Sequence, residues 1–330
     1  MGIKLLGTGF YVPDVAISNE DMAKLVDTSD AWIRERTGIC SRRIAVRETL
    51  LDMALAASRQ ALDDAGIAPD EVDLIIVGTL TGEVVMPSTA CLIQGLLEIQ
   101  DAVAFDIRAA CVGFGIAIAT ARDMLEAGNF STALVVGADK LSRIINWEDR
   151  NSCVLFGDGA GAVVISRGGE PRSGAYFMRT TPDMAGALTL RRQGGRFPYE
   201  KINPDFVPEL QDESVPLVHM KGTQVFRYAV TAMRECMDAV LDKAGVTMED
   251  IQWVIPHQAN KRIIDAVVHN GGWPAEKFFV NIDRYGNTSA ASVPIVLAEM
   301  RQDHRVAAGD LALLVAFGGG LGCSAMVVEL

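Results

Sequence analysis

Cys111 is the residue whose position most clearly suggests chemistry. It lies in AFDIRAACVGFGIAIATARDMLEAG (104–128), where a short alternating segment precedes an apolar run rich in small residues. This pattern predicts a strand that turns into a buried helix ending near Gly128, with Cys111 at the helix N-terminus. Unpaired N–H groups and the helix dipole favour a thiolate there, so we expect a lowered thiol pKa and a nucleophilic sulfur. From this stretch alone, a buried structural cysteine is an equally open alternative.

His257 and Asn287 are the polar residues that could assist such a nucleophile. His257 follows the predicted strand VIP (254–256), and Asn287 lies in the tight loop YGNTSAAS (285–292). Open α/β folds bind ligands beyond the carboxyl ends of their strands. A lone histidine is commonly a satisfied core residue, but the shared placement of all three residues just past strand ends favours one common site.

Two glycine loops, GDGAG (157–161) and GGGLG (318–322), could suggest phosphate binding. Each loop precedes an apolar strand rather than a helix, so the context of a dinucleotide fingerprint is missing. Glycines also allow a close approach of backbone N–H groups to a reacting oxygen. The second loop therefore predicts an oxyanion hole shared with the N–H of Cys111.

An internal duplication relates the segments that carry these residues. AGIAPDEVDLIIV begins at Ala65 and AGVTMEDIQWVIP begins at Ala244, an offset of 179 residues. The Cys111 stretch matches VNIDRYGNTSAASVPIVLAEM (280–300) with an offset of 176 when Met124 is aligned with Met300. That alignment places Asn287 opposite Cys111. Packing of the halves about a pseudo-twofold axis would bring the two helix N-termini together.

The order of elements predicts an α/β fold made of two similar halves. Strands alternate with helices, and continuous apolar runs such as LIIVGTL and ALVVGA are typical of buried, largely parallel sheets. We expect an N-terminal half over 1–170 and a C-terminal half over 220–330. The proline-rich segment 171–219 lacks periodicity and is predicted to be a connection or cap between them.

Composition and charge indicate in which compartment the protein works and which partners it does not bind. The chain has 330 residues, 49% of them hydrophobic, and a net charge of −12, which argues against nucleic acid or an anionic membrane as its main partner. Six widely spaced cysteines without a C-x-x-C pair predict reduced thiols rather than a disulfide framework or a zinc cluster. The start lacks an export signal and no apolar run reaches membrane-spanning length. We therefore expect a cytoplasmic protein.

Six further motifs accompany the Cys111 stretch, namely DTSDAWIRERTGI (27–39), PSTACLIQ (87–94), DRNSCVLFGDGAGA (149–162), HQANKRI (257–263), DRYGNTSAASVP (283–294) and FGGG (317–320). Together the seven resemble the 3-oxoacyl-(acyl-carrier-protein) synthase III family of thiolase-fold ketosynthases. The resemblance covers nearly the whole chain. The fold that this resemblance implies is a thiolase-like αβαβα arrangement of two duplicated halves, assembled as a homodimer.

The resemblance implies a catalytic triad of Cys111, His257 and Asn287. Cys111 would attack an acyl-CoA, with the oxyanion held by the N–H groups of Cys111 and Gly319. Malonyl-acyl-carrier protein would then bind, and His257 and Asn287 would stabilise the enolate formed as carbon dioxide leaves. The carbanion would take the acyl group from Cys111, giving 3-oxoacyl-carrier protein and initiating fatty-acid or polyketide synthesis. No metal or redox cofactor is implied.

The resemblance also implies how the substrates bind. The expected CoA contacts are Thr28, Trp32, Arg36, Arg150, Gly222, Phe226 and Asn260. Trp32 would stack on adenine and the two arginines would meet phosphate or adenine groups, although surface ion pairs are the alternative for both guanidinium groups. Arg227, Lys261 and Arg262 would form a local basic patch for the acidic carrier protein.

Met86 stands where relatives often carry an aromatic residue, in a region that shapes the acyl pocket across the dimer interface of the family. A flexible thioether there predicts a branched or medium-length acyl group, unless Met86 merely repacks. Two other functions remain open at this stage. One is an acyltransferase that moves the acyl group from Cys111 to an oxygen or nitrogen nucleophile, which would not need both His257 and Asn287. The other is an inactive partner subunit, which the intact Cys111 disfavours.

Overall fold

The computed structural model describes residues 2–183, 186–190 and 217–330. Its strands follow the predicted alternation with helices. They are β1 (Gly2–Tyr11), β2 (Ala16–Ser18), β3 (Ser41–Arg43), β4 (Leu74–Gly78), β5 (Val103–Ile107), β6 (Thr132–Asp139), β7 (Gly159–Gly169), β8 (Tyr176–Thr180), β9 (Leu188–Leu190), β10 (Val218–Met220), β11 (Trp253–Pro256), β12 (Leu311–Gly318) and β13 (Gly322–Glu329).

The helices differ widely in length. They are α1 (Asn19–Met22), α2 (Asp30–Thr37), α3 (Leu50–Ala65), α4 (Thr89–Leu96), α5 (Gly113–Glu126), α6 (Arg150–Cys153), α7 (Gly222–Ala244), α8 (Lys261–Gly271), α9 (Ile282–Tyr285) and α10 (Ser292–Gln302). As predicted, α5 ends just before Gly128, whose φ of 84° ends the helix in the left-handed region. In the described parts of the chain, no helix combines the length and apolarity needed to cross a membrane.

Two main sheets form the framework. The first has the order β1-β7-β6-β4-β5, and the second has the order β11-β12-β13-β8. The inner strands β4 and β6 pair in parallel and are almost entirely buried, as their continuous apolar sequences predicted. The antiparallel pairs β6–β7 and β12–β13 occupy corresponding places in the two sheets. The mixed sheets therefore repeat one topology.

The elements stack in five layers, which confirms the predicted αβαβα arrangement. Helices α3 and α4 cover the outer face of the first sheet, and α7 and α8 cover the outer side of the second. Helices α5 and α10 lie between the sheets and contact both. The central apolar core contains Phe114 and Ile118 from α5 together with Val293 and Leu297 from α10. The two helices that follow the candidate site residues thus lie side by side in the centre of the molecule.

The duplication is confirmed, but the alignment of Cys111 with Asn287 is wrong. Ala110 and Ser289 each begin a 3-10 turn with a positive φ, 49° and 53° respectively, and they are 179 residues apart. Cys111 therefore corresponds to Ala290. The offset of 176 resulted from aligning the C-terminal ends of α5 and α10, which have 14 and 11 residues. A single offset of 179 also relates Thr132 of β6 to Leu311 of β12.

The predicted connection 171–219 contains regular structure that belongs to the C-terminal half. β8 pairs with β13 at the edge of the second sheet, in the place that β1 occupies beside β7 in the first. The second half therefore begins before residue 220. β9 and β10 form a separate two-stranded sheet, and residues 184–185 and 191–216 of the segment lie outside the described part.

The prediction of six separate thiols is wrong for Cys236 and Cys323. Their sulfur atoms are joined in the structure, and both residues are buried between α7 and β13. The packing of α7 on β13 brings their Cα atoms to 6.7 Å although they are 87 residues apart in the chain. Linear spacing cannot reveal such a pair. The remaining cysteines are free, namely Cys40, Cys91, Cys111 and Cys153.

Candidate active site

Cys111 lies in the 3-10 turn Ala110–Val112, between the end of β5 and the first residue of α5. The turn is tight enough to give Ala110 a positive φ of 49°. Gly318, at the end of β12, packs against this turn, and a Cβ atom there would lie 2.9 Å from both the backbone nitrogen and the Cβ of Cys111. The second glycine loop thus approaches the nucleophile closely, as predicted. Gly319, the expected oxyanion-hole residue, lines the same pocket as Cys111.

The pKa of the Cys111 thiol is raised, whereas the sequence predicted a lowered pKa. Burial raises the pKa of the Cys111 thiol to about 12, and the nearby Asp139 carboxylate adds to the increase. A hydrogen bond from Ser289 Oγ, 3.5 Å from the sulfur, acts in the opposite direction. Cys111 precedes the first residue of α5 by two positions, and burial is the largest influence on its pKa. In the free protein Cys111 is therefore a neutral thiol.

This setting predicts how Cys111 reacts with an alkylating reagent. Because only the thiolate reacts, the rate with iodoacetamide should increase about ten-fold per pH unit between pH 7 and 9, without a plateau. Peptide mass spectrometry that follows Cys111 separately from the exposed Cys91 would give this rate. A plateau reached near pH 7 would instead support the lowered pKa that the sequence suggested.

His257 directly follows β11 and is held by the backbone of the neighbouring strand. Its N–H donates to the carbonyl of Val315 at 2.7 Å, and its ring meets Phe317 edge-on with the ring centroids 5.5 Å apart. Ring atom Nδ1 lies 2.6 Å from Ser292 Oγ, whereas the buried Nε2 has no hydrogen-bond partner within the described residues. Burial lowers the pKa of His257 to about 3, so the imidazole is neutral.

Asn287 is fixed in the loop between α9 and α10 by hydrogen bonds on both sides. Its N–H donates to the carbonyl of Leu155 at 2.9 Å, and its own carbonyl accepts from the N–H of Gly157 at 3.0 Å. Side-chain Oδ1 accepts from the N–H of Ser289 at 2.9 Å. Since the oxygen is engaged in this bond, the amide NH2 group is the end of the side chain that can serve a ligand.

The three residues line a single pocket of about 400 Å³. Its walls are mostly apolar, from Leu188, Val225, Phe156 and their neighbours, while the polar groups converge near Cys111. A concave apolar pocket with a few convergent polar groups is the usual form of a small-molecule site. The geometry therefore assembles a thiol, a neutral imidazole and an amide around one apolar cavity.

The residues expected to contact CoA fall into two groups. Gly222, Phe226 and Asn260 line the pocket itself. The other group surrounds Trp32, whose ring centroid lies 5.6 Å from Cζ of Arg36 and 4.9 Å from Cζ of Arg150. Both guanidinium groups thus make cation–π contact with Trp32, and Arg150 also lies 3.9 Å from the Asp27 carboxylate, as the ion-pair alternative predicted.

Two details connect these groups. Asn260 caps α8 by accepting from the N–H of Arg262 at 2.9 Å, and its Nδ2 donates to the carbonyl of Arg36 at 3.1 Å. This bond ties α2, with Trp32 and Arg36, to the rim of the pocket. Thr28 Oγ1 is buried without a hydrogen-bond partner in the described residues, so it has capacity for a ligand.

The basic residues expected to meet a carrier protein are exposed on α7 and α8. Lys261 is paired with Asp265 at 2.7 Å, which offsets part of its charge. Arg227 and Arg262 form no ion pair within the described residues and present free guanidinium groups. Of the three basic residues, the two arginines are therefore those whose charge is not offset by an ion pair in the described part of the chain.

Met86 does not line the pocket of its own chain. Its side chain is 85% exposed, next to the exposed Val84 and Val85. This position leaves the acyl-pocket role of Met86 dependent on a second copy, as the resemblance implies.

Three residues near the site were not singled out from the sequence. Ser289 contacts the sulfur of Cys111, and Ser292 contacts His257. Both lie in the same loop as Asn287, and their spacing of two and five residues after it was a usable signal. Asp139, at the end of β6, also lies near the site, since its carboxylate helps to raise the pKa of Cys111 and accepts a hydrogen bond from the N–H of Ala290 at 3.4 Å.

The layered duplicated fold and the Cys–His–Asn pocket are those of a thiolase-like enzyme scaffold. The C-terminal model of 3-oxoacyl-[acyl-carrier-protein] synthase III matches residues 241–330, and the companion model of 3-oxoacyl-[acyl-carrier-protein] synthase III matches residues 105–182. The beta-ketoacyl-[acyl-carrier-protein] synthase III of Aquifex aeolicus is 45% identical over 329 residues, covering 100% of both chains. The chain belongs to the 3-oxoacyl-[acyl-carrier-protein] synthase III family.

Solved structures agree with this assignment. The crystal structure of 3-oxoacyl-[acyl-carrier-protein] synthase III from Aquifex aeolicus superposes with a TM-score of 0.89 at 44% identity and covers 100% of both chains. The priming beta-ketosynthase from the R1128 polyketide biosynthetic pathway gives a TM-score of 0.90 at 36% identity, covering 100% of this chain and 96% of its own. The predicted thiolase-like fold is confirmed.

Proposed function

We propose that this protein joins an acyl-CoA starter to malonyl-acyl-carrier protein by decarboxylative Claisen condensation. The observation that carries the proposal is the convergence of Cys111, His257 and Asn287 on one pocket. In the first step the sulfur of Cys111 attacks the acyl thioester, the bond to the CoA sulfur breaks, and the thiol proton leaves with CoA. The products are acyl-Cys111 and free CoA.

The second step uses the other two residues. The carboxylate of the malonyl group leaves as carbon dioxide, and the electron pair of the broken bond forms an enolate at the thioester. The Asn287 amide and the His257 imidazole border the pocket where that oxygen would lie, and hydrogen bonds to it would stabilise the developing charge. The carbanion attacks acyl-Cys111, the Cys111 sulfur is expelled and takes up a proton, and 3-oxoacyl-carrier protein leaves.

Product analysis tests this reaction against acyl transfer to an oxygen or nitrogen nucleophile. The protein would be incubated with acyl-CoA and malonyl-acyl-carrier protein labelled with carbon-13 in the malonyl carboxyl group. We expect labelled carbon dioxide and 3-oxoacyl-carrier protein in equal amounts. Consumption of acyl-CoA without carbon dioxide release would exclude condensation and favour the acyltransferase alternative.

The same proposal includes a homodimer formed at the edge of the first sheet. β5 is the edge strand, and an unpaired edge is suited to pairing with a second copy. Val103 on this strand and the adjoining loop residues Val84, Val85 and Met86 are exposed apolar side chains. Burying them against a second copy would remove apolar area from water, and would bring the loop of one chain towards the pocket of the other.

Met86 then sets the preferred acyl length. Replacing Met86 with phenylalanine should shift preference towards acetyl-CoA, because a rigid ring closes the pocket at a fixed depth. Two or three buried methylene groups correspond to roughly ten-fold to one-hundred-fold in selectivity. Rates with acetyl-CoA and with butyryl- to octanoyl-CoA would be compared for both proteins.

Met178→Phe is the matched control, since Met178 is exposed on β8 and lies outside the pocket lining. Equal preference for acetyl-CoA in the parent protein and in Met86→Phe would reject this role of Met86.

A further inference from the structure

The hydrogen bond between Ser292 and His257 indicates which nitrogen of the imidazole holds the proton. Ser292 is the first residue of α10 and is 2% exposed, and His257 is 1% exposed. The Oγ–Nδ1 distance of 2.6 Å shows a hydrogen bond, but either atom could be its donor. A neutral imidazole carries one N–H, so the direction of this bond decides which ring nitrogen holds the proton.

A second hydrogen bond to Ser292 determines which of the two atoms is the donor. The N–H of Gln258 donates to Ser292 Oγ at 3.4 Å, which engages the hydroxyl as an acceptor. If Nδ1–H of His257 also donated to Oγ, the hydroxyl proton of Ser292 would be buried without an acceptor among the described residues. If the hydroxyl instead donates to Nδ1, every polar atom of Ser292 is satisfied. Buried polar groups are rarely left unpaired, so the second arrangement is favoured.

The consequence appears on the other side of the ring. With Nδ1 acting as an acceptor, the single proton of the neutral imidazole lies on Nε2. Nε2 is the buried ring atom without a partner within the described residues, and His257 lines the pocket with Cys111. The free N–H is therefore available to a ligand oxygen in that pocket.

We propose that Ser292 is a positioning residue that keeps the proton of His257 on Nε2, so that the imidazole donates a hydrogen bond to the malonyl thioester oxygen. This inference rests on the proposed condensation for its kinetic consequence. The tautomer itself does not depend on it. Ser292 is not among the residues that line the pocket and would act only through His257.

Two variants test the role of the hydroxyl. Ser292→Ala removes it, and Ser292→Thr retains it. We expect Ser292→Ala to lower malonyl decarboxylation by about ten-fold to one-hundred-fold, with acylation of Cys111 by acyl-CoA within about two-fold of the parent rate. Ser292→Thr should restore most of the decarboxylation.

Ser58→Ala is the matched control, because Ser58 is a buried serine on α3 whose hydroxyl donates to the carbonyl of Ala54 at 2.7 Å, away from the pocket. It should affect neither step. Equal loss of acylation and decarboxylation in Ser292→Ala would indicate a structural role and overturn the proposal.

A spectroscopic measurement tests the tautomer without any variant at the serine. The chain has four histidines, and nitrogen-15 labelling of their rings distinguishes protonated from unprotonated nitrogens. His257→Gln would assign the signal. We expect the parent protein to carry the proton on Nε2, and a proton on Nδ1 would overturn the proposal even if Ser292→Ala failed to fold. If the parent protein released no carbon dioxide from malonyl-carrier protein, the proposed function would fail while the tautomer result stood.

Discussion

Replacing Cys111 with alanine is expected to abolish acyl-enzyme formation and to lower condensation by on the order of ten-thousand-fold or more. The pocket offers no other thiol, since Cys111 is the one cysteine among the described residues that line it. Intact-mass spectrometry after incubation with acyl-CoA would detect the adduct, and peptide analysis would locate it. The parent protein should carry one acyl group, on Cys111.

Cys153→Ser is the matched control for this experiment. Cys153 is a free cysteine buried away from the pocket, and burial raises the pKa of its thiol to about 11. Its substitution should leave the acyl adduct in place. The assignment of Cys111 would be wrong if the Cys111→Ala protein still accumulated an acyl group on Cys153 or another cysteine.

His257→Ala and Asn287→Ala are expected to separate the two half-reactions. Each removes one hydrogen-bond donor to the enolate oxygen, so each should lower decarboxylation by about a hundred- to a thousand-fold. Acylation of Cys111 should stay close to the parent rate, because the first step uses a different oxyanion. Stopped-time mass spectrometry for acylation and carbon dioxide release for decarboxylation would give the two rates.

Gln258→Ala serves as the control. Its side chain accepts hydrogen bonds from the N–H groups of Asn281 and Ile282 and does not line the pocket, so its loss should not lower decarboxylation selectively. For the triad variants, loss of acylation in both proteins would contradict the division of labour. That outcome would instead place His257 and Asn287 in the first step.

The layout of the fold could be predicted because each element has a local signal. The apolar run of β4 and the small-residue run of α5 indicate a buried strand and a central helix without knowledge of their neighbours. The repeat of these signals then predicts two similar halves. The register between the halves could not be predicted from one alignment, because α10 is three residues shorter than α5 at its C-terminal end.

Cys111 and His257 could be predicted from their placement after β5 and β11, but their protonation could not. The same expectation is wrong for Asn287, which follows the short helix α9 rather than a strand. The sequence shows that Cys111 precedes a helix, which alone would lower the thiol pKa. Only the folded structure shows that burial and Asp139 raise it. In the same way, the partner of His257 Nδ1 is Ser292, 35 residues away in the chain, and no local pattern reveals that contact.

The raised thiol pKa also bears on how acylation proceeds. In the proposed acylation, the neutral thiol of Cys111 would lose its proton as it gains the acyl group, and the departing CoA sulfur would accept that proton. The proposed first step therefore needs no permanent thiolate. The Ser289 hydroxyl, 3.5 Å from the sulfur, is placed to stabilise negative charge while it develops.

A chase experiment on the isolated acyl-enzyme tests the central claim most directly. The protein would be acylated with acyl-CoA, freed of CoA by gel filtration, and then mixed with malonyl-acyl-carrier protein while intact mass is followed in time. The account predicts that the acyl mass on Cys111 disappears at the rate at which carbon dioxide and 3-oxoacyl-carrier protein appear. An acyl group that stays on Cys111 after malonyl-acyl-carrier protein has been added would contradict it, above all if the same mixture then formed 3-oxoacyl-carrier protein once acyl-CoA was supplied.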